Sequence, residues 1–159
     1  MGAMLFDQIM QKSIAPMGRS YRDKDFVMQT LNLVTLLVDD YDRAIAHYRD
    51  ALGFELREDT DLGGGKRWVR VAPQGEGTTD LLLAVATTDE QRARIGDQTG
   101  GRVGFFLQTD DFWRDHARMT AAGVEFLETP REESYATVAV FRDAYGNRWD
   151  LLQPKADPP

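Results

Sequence analysis

The sequence predicts an α+β protein built from two copies of a βαβββ unit, on three observations. Two apolar runs of strand length, LNLVTLLV from Leu31 and VGFFLQ from Val103, each lead into a pair of aspartates. Each pair precedes a helical stretch that closes on a glycine, with Tyr41, Ala44, Ile45 and Tyr48 at three- and four-residue spacing in the first copy. The copies also hold register at separate places: LLVDDYDRA matches FLQTDDFWRD, ALGFEL matches AAGVEF, and DLLLAV matches DLLQP. Asp39 and Asp40 thereby correspond to Asp110 and Asp111, Gly53 to Gly123, and Asp80 to Asp150.

Each element has a local reason. Asp39 or Asp40 caps the first helix by accepting bonds from its free N–H groups, and Gly53 suits the left-handed residue that ends it. FELRED, GGGKRWVRVAP and TTDLLLAVA follow as short strands separated by Gly-rich or polar turns. TTDEQRARIGDQTGGR reads as a short helix and a Gly-rich connection. In the second copy, VGFFLQTDDFWRDHARMTAAGVEFLE supplies strand, helix and strand, and ATVAVFRD and RWDLLQP supply the last two strands. One domain is expected over 29–154, with modules at 29–88 and 101–154, a linker at 89–100 and a tail at 155–159. Residues 1–28 carry Leu5, Phe6, Ile9 and Met10 in one amphipathic turn or two and read as an arm, a leader or an expression remnant, with no chemistry assigned.

Composition narrows the function classes. A hydrophobic content of 42% against 28% charged residues excludes a disordered or fibrous chain and requires a core. A net charge of -7 argues against nucleic acid, whose affinity rests on Lys and Arg. Cysteine is absent, which removes thiolate zinc sites and Cys nucleophiles and suits a reducing cytoplasm; any metal must use nitrogen or oxygen ligands. No apolar stretch approaches the ~20 residues of a membrane span, and the amino terminus lacks the layout of a secretion signal. The expectation is a cytoplasmic protein with no nucleic-acid or membrane partner. No Ser–His–Asp set stands at a suggestive spacing, and the GGGKRW segment lacks both the GxxxxGK[ST] pattern and a following helix, so it reads as a hairpin connection.

Three segments, VTLLVDDYDRAIAHYRDALGFEL, FFLQTDDFWRD and VFRDAYGNRWDLLQP, resemble the vicinal oxygen chelate superfamily, which includes glyoxalases, bleomycin-resistance proteins and extradiol dioxygenases. The likeness runs from Leu31 to Pro154. It implies pseudo-symmetric modules forming a cup-shaped mixed sheet, a small organic ligand in the cup, often a divalent metal, and pairing into a homodimer through sheet edges. In metal-binding members the ligands are a His or Gln on the first strand of each module and a carboxylate on the last. Those places fall here on Leu33 and Gly104, and on Asp80 and Asp150. Leucine has no donor atom and glycine no side chain, so a two-histidine, one-carboxylate site cannot form there. The two histidines, His47 and His116, both lie in expected helices. Asp80 and Asp150 keep two readings: ligands to manganese, magnesium, iron or zinc with waters completing the shell, or acceptors for neighbouring strands and for Arg70 or Arg148. The leading expectation is no cofactor.

Without a metal, such a cup must bind by shape, stacking and a few placed polar groups. Alternation puts Leu33, Thr35 and Leu37 on one face of the first strand and Gly104, Phe106 and Gln108 on the matching face. Gly104 either opens room for a ligand or eases close strand packing. Lys66 and Arg67 are candidates to hold an anion at the mouth with Trp68 as an aromatic surface, against the reading of a solvated strand end. Gln98, Thr99, Ser134, Tyr135 and Thr137 are polar candidates, Tyr135 as proton donor or orienting group against a packing role. Alternation sets Trp149 opposite Asp150, in the helix-packed layer. Two functions follow: a small-molecule binding protein with a degenerate metal site and an aromatic or anionic ligand, and a divalent-metal-dependent lyase, isomerase or dioxygenase in which the ion acts as a Lewis acid.

Overall fold

A computed structural model describes residues 29–156, so the expected arm at 1–28 and the end of the tail lie outside the described residues. The elements run β1 (Leu33–Val38), α1 (Tyr41–Ala46) continuing as a π-helical turn (His47–Ala51), β2 (Glu55–Gly63), β3 (Lys66–Ala72), β4 (Asp80–Val85), α2 (Asp89–Arg94), β5 (Val103–Gln108), α3 (Phe112–Ala121), β6 (Glu125–Phe126), β7 (Arg131–Glu132), β8 (Ala136–Arg142) and β9 (Arg148–Pro154). This is βαβββ twice, with the two-residue β7 added in the second module. Asp40 and Asp111 cap α1 and α3, accepting from the backbone N–H of Arg43 at 2.8 Å and of Arg114 at 3.0 Å. Gly53 and Gly123 follow the helices at φ of 79° and 87°, the left-handed conformation glycine enters without a Cβ penalty.

The strands form two mixed sheets, ordered β1-β4-β3-β2 and β5-β9-β8-β6, with β7 beside β8. In each, the first and last strands of the module pair in parallel and the other ladders are antiparallel. Each module thus contributes one mixed sheet, as the paired-module expectation requires; among the described residues β1 and β5 end their sheets and no ladder joins them.

One face of each sheet enters a common core. Leu36 and Val38 of β1, Val69 and Val71 of β3, and Leu81 and Leu83 of β4 meet Ala139, Phe141, Trp149 and Leu151 of the other sheet, with Ile45, Tyr48, Phe112 and Met119 from the helices. Trp149 is at its centre, stacked on Phe105 at 4.4 Å and in ring contact with Phe54, Phe141 and Tyr48 at 5.9, 5.9 and 6.2 Å. This is the helix-packed position that alternation assigns it. Polar groups tie the modules where the rings leave off. Asp143, 5% exposed, accepts from Tyr48 Oη at 2.6 Å, Asn147 Nδ2 at 2.9 Å and Trp149 Nε1 at 3.1 Å, while the N–H groups of Tyr145 and Asn147 donate to its other oxygen at 3.0 Å. A buried carboxylate persists only when so satisfied. Beside it, Ala144 N–H donates to His47 Nε2 at 3.0 Å. Since both sheets turn one face into this core, each presents its other face away from it.

Candidate functional site

The outward face of the first sheet carries Leu33, Thr35 and Leu37 from β1, Asp80, Leu82 and Ala84 from β4, Trp68 and Arg70 from β3, and Glu58 and Thr60 from β2, set side by side by the strand register. Its polar centre is an ion triad. Arg70 donates to Asp80 Oδ2 through Nη1 and to Glu58 Oε2 at 3.1 Å through Nε, and Asp80 is only 7% exposed. Trp68 is buried next to this triad, and half-exposed leucines surround it.

On the second sheet the outward face carries Phe106 and Gln108 from β5, Val138 and Val140 from β8, and Asp150 and Leu152 from β9. Phe106 is 67% exposed, an unusual position for a phenyl ring. Asp150 lies directly across from Phe106 on one side and Val140 on the other. Burial raises its carboxyl above the ordinary range; Arg131 opposes that shift and Glu128 adds to it. Asp150 Oδ1 is buried and accepts no hydrogen bond.

The strand register corrects one equivalence. Asp80 faces Leu33 across β1 and β4, whereas Asp150 faces Phe106, and the pairing is irregular at Gly104 between Val103 and Phe105. With Thr35 matched to Phe106, the residue equivalent to Asp150 in sheet position is Leu82, and Asp80 sits two residues nearer the strand start.

Several candidates go elsewhere. Arg67 points to the helix side, donating to Asp59 Oδ1 at 2.9 Å and Asp42 Oδ1 at 2.8 Å while its backbone N–H donates to Tyr41 Oη; on β3 it alternates with Trp68 and so leaves the outward face. Lys66 is exposed at the β2–β3 turn. Gln98 covers the β1 edge, accepting from Leu37 N–H at 2.6 Å and donating to Thr35 O at 3.0 Å, a strand-edge role instead of a ligand contact. Thr137 lies on the core side of β8 and donates to Glu132, so it does not join Val138 and Val140. Tyr135 is exposed in the β7–β8 turn beside Ser134. His47 accepts from Ala144 and His116 packs on Phe126 at 4.1 Å, both as helix residues. Glu58, Arg70, Leu82, Val140 and Leu152 join the site because strand pairing brings them in, and pairing is not written in any one segment.

A metal centre of the superfamily type does not fit these residues. Leu33 and Gly104 supply no donor, and a Cβ at Gly104 would stand 2.6 Å from Thr99 Cγ2, so the space there is already filled by Thr99. Asp80 is committed to Arg70. No group of three or more His, Asp or Glu side chains converges among the described residues. Of the two readings for Gly104, close packing is the one the neighbouring Thr99 matches.

A cleft of about 860 Å³ opens between the modules, lined by Leu52, Phe54, Pro73, Leu107, Arg114 and Arg118 among others. Its cations are already engaged: Arg114 with Asp110 and Asp115, and Arg118 with the carbonyls of Ala51 and Leu52. No helix among the described residues is long and apolar enough to cross a membrane.

Known proteins share this architecture. An uncharacterized protein of Shewanella frigidimarina (strain NCIMB 400) is 52% identical over 126 residues, covering 79% of this chain and 93% of that one. The crystal structure of TnmS3, an antibiotic binding protein from Streptomyces sp. CB03234, superposes with a TM-score of 0.66 at 30% identity, covering 82% of this chain and 99% of that one. A glyoxalase/bleomycin resistance protein/dioxygenase superfamily member from Sphaerobacter thermophilus DSM 20745 superposes with a TM-score of 0.66 at 27% identity, covering 79% of this chain and 98% of that one. Residues 30–151 match the profile of the Glyoxalase/Bleomycin resistance protein/Dioxygenase superfamily, and the chain belongs to that superfamily.

Proposed function

We propose that this protein binds a small aromatic molecule on the outward faces of its sheets, without a metal. The carrying observation is the character of those faces: an exposed phenyl ring at Phe106, Trp68 on the other sheet, half-exposed aliphatic residues around each, and few placed polar groups. That TnmS3, alike in fold and 30% identical, is described as an antibiotic binding protein supports the same reading. The degenerate metal site rests on Leu33 and Gly104, which leave the first-strand positions without donors. An aromatic ligand has more support than an anionic one, because Arg67 is held by Asp42 and Asp59.

The two faces lie on separate sheets and turn away from a shared core, so enclosing a ligand between such faces requires a second copy of the chain. A homodimer through sheet edges supplies it. A cysteine-free sequence is in keeping with a cytoplasmic setting. The metal-dependent lyase, isomerase or dioxygenase is favoured by one observation, the unbonded carboxylate of Asp150.

Tag-free protein purified without chelator separates the readings. Elemental analysis, followed by thermal unfolding with manganese, magnesium, iron(II) and zinc, is expected to give no stoichiometric metal and no stabilisation, and aromatic compounds are expected to change tryptophan fluorescence saturably. One metal per site, with stabilisation lost in Asp150→Ala, would instead establish the metal-dependent reading.

A further inference from the structure

Asp150 differs from the buried carboxylates Asp80 and Asp143. Asp143 receives five hydrogen bonds and Asp80 receives Arg70, whereas Oδ1 of Asp150, although buried, accepts none within the described residues. Arg131, the cation that acts on it, and the N–H of its cross-strand neighbour Val140 are both committed. Arg131 donates to Glu128 Oε1 at 3.0 Å and to Glu133 Oε1 at 2.6 Å, and Val140 N–H donates to Glu128 Oε1 at 3.0 Å. On the same face of β9, Arg148 sits across from Arg142, which reaches toward Glu125 at 3.9 Å. A carboxylate that is partly desolvated and left without donors is costly, and such costs persist where a ligand removes them. Oδ1 is buried while the residue as a whole is half-exposed, so its exposure lies on other atoms, and its cross-strand neighbour is Phe106.

We propose that Asp150 accepts a hydrogen bond directly from the ligand, not from or through a metal ion, and so selects aromatic compounds that carry an O–H or N–H donor at the ring edge. The inference rests on the aromatic-binding reading above. Phe106 and Asp150 are cross-strand neighbours, so a ring lying on Phe106 brings a substituent on its edge to the carboxylate. The donor restores the bond that the fold withholds, and an analogue lacking it leaves the acceptor unpaired, which is how sites built on a buried polar group discriminate.

The test uses two matched probe pairs, 2-naphthol with 2-methoxynaphthalene and indole with 1-methylindole, titrated by calorimetry into the full chain with and without chelator. In the wild type each donor probe is expected to bind about tenfold or more tighter than its methylated partner, the range of a hydrogen bond to a charged group. In Asp150→Leu that ratio is expected to fall to about one, with circular dichroism and thermal melting reporting the intact fold; Asp150→Asn, which keeps an uncharged acceptor, is expected to lie between. A wild-type ratio near one overturns this inference and leaves aromatic binding standing. So does a ratio that survives Asp150→Leu, or one that chelator abolishes. Failure of all four probes to bind overturns the aromatic-binding reading and this inference with it. A naphthol preference without an indole preference confines the donor to hydroxyl.

Discussion

At the scale of single residues, carboxylates decide more than their number suggests. Arg70 stands between Asp80 and Glu58, and replacing it with Met leaves a nearly buried aspartate with no cation, a change expected to cost about 3–5 kcal/mol in urea unfolding. Tyr48→Phe removes one donor from Asp143 and is expected to cost about 1–3 kcal/mol by the same measurement, since the carboxylate stays buried. His47 adds a pH dependence. Burial lowers its pKa below the usual 6.5, with Asp143 opposing and Arg43 reinforcing the shift, so the fold favours the neutral ring that accepts from Ala144. The unfolded chain takes the proton first. The contribution of His47 to stability is therefore full above pH 6.5 and is lost as the pH drops below it. His47→Asn keeps an acceptor but does not titrate, and its unfolding midpoint is expected to fall less than that of the wild type between pH 7.5 and 5.5. The Asp80–Arg70 pairing is readable from charge alone, but the role of Asp143 is not. The run VFRDAYGNRWDLLQP is legible as a motif, yet which of its acids is buried depends on Tyr48, 95 residues earlier.

Among the elements, strand and helix order follow directly from periodicity and caps, while pairing does not. The two helix-terminating glycines show what the repeat conceals. Both adopt positive φ, but a Cβ at Gly53 would stand 2.8 Å from the Arg118 guanidinium, and one at Gly123 would meet nothing within 4 Å. Gly123→Ala is expected to cost about 1 kcal/mol, the penalty of left-handed backbone for a residue with a Cβ. Gly53→Ala is expected to cost measurably more in parallel urea melts, because Arg118 must leave the carbonyls of Ala51 and Leu52. The matched DLLLAV and DLLQP runs conceal a similar difference. An irregular register at Gly104 shifts Asp150 against Phe106, so two aspartates that look equivalent in the sequence occupy different steps of their sheets.

For the molecule as a whole, the shared core sets the direction of both candidate faces. Phe106 contributes little to that core, and Phe106→Ala is expected to leave the melting temperature nearly unchanged while weakening the binding of 2-naphthol, a separation that thermal unfolding and calorimetry report together. If a second copy completes the site, sedimentation is expected to show a dimer at the concentrations where ligand binds. The duplicated modules, their element order, the inner position of Trp149 and the missing first-strand donors are all readable along the chain, because helix and strand periods, caps and residue chemistry are local properties. That Arg67 turns to the helices, that Gln98 and Thr99 fill the strand edge and the space at Gly104, and that Asp150 is left without a donor beside an exposed ring depends on tertiary packing. Those outcomes follow from strand register and long-range side-chain neighbours, which join residues that no local pattern connects.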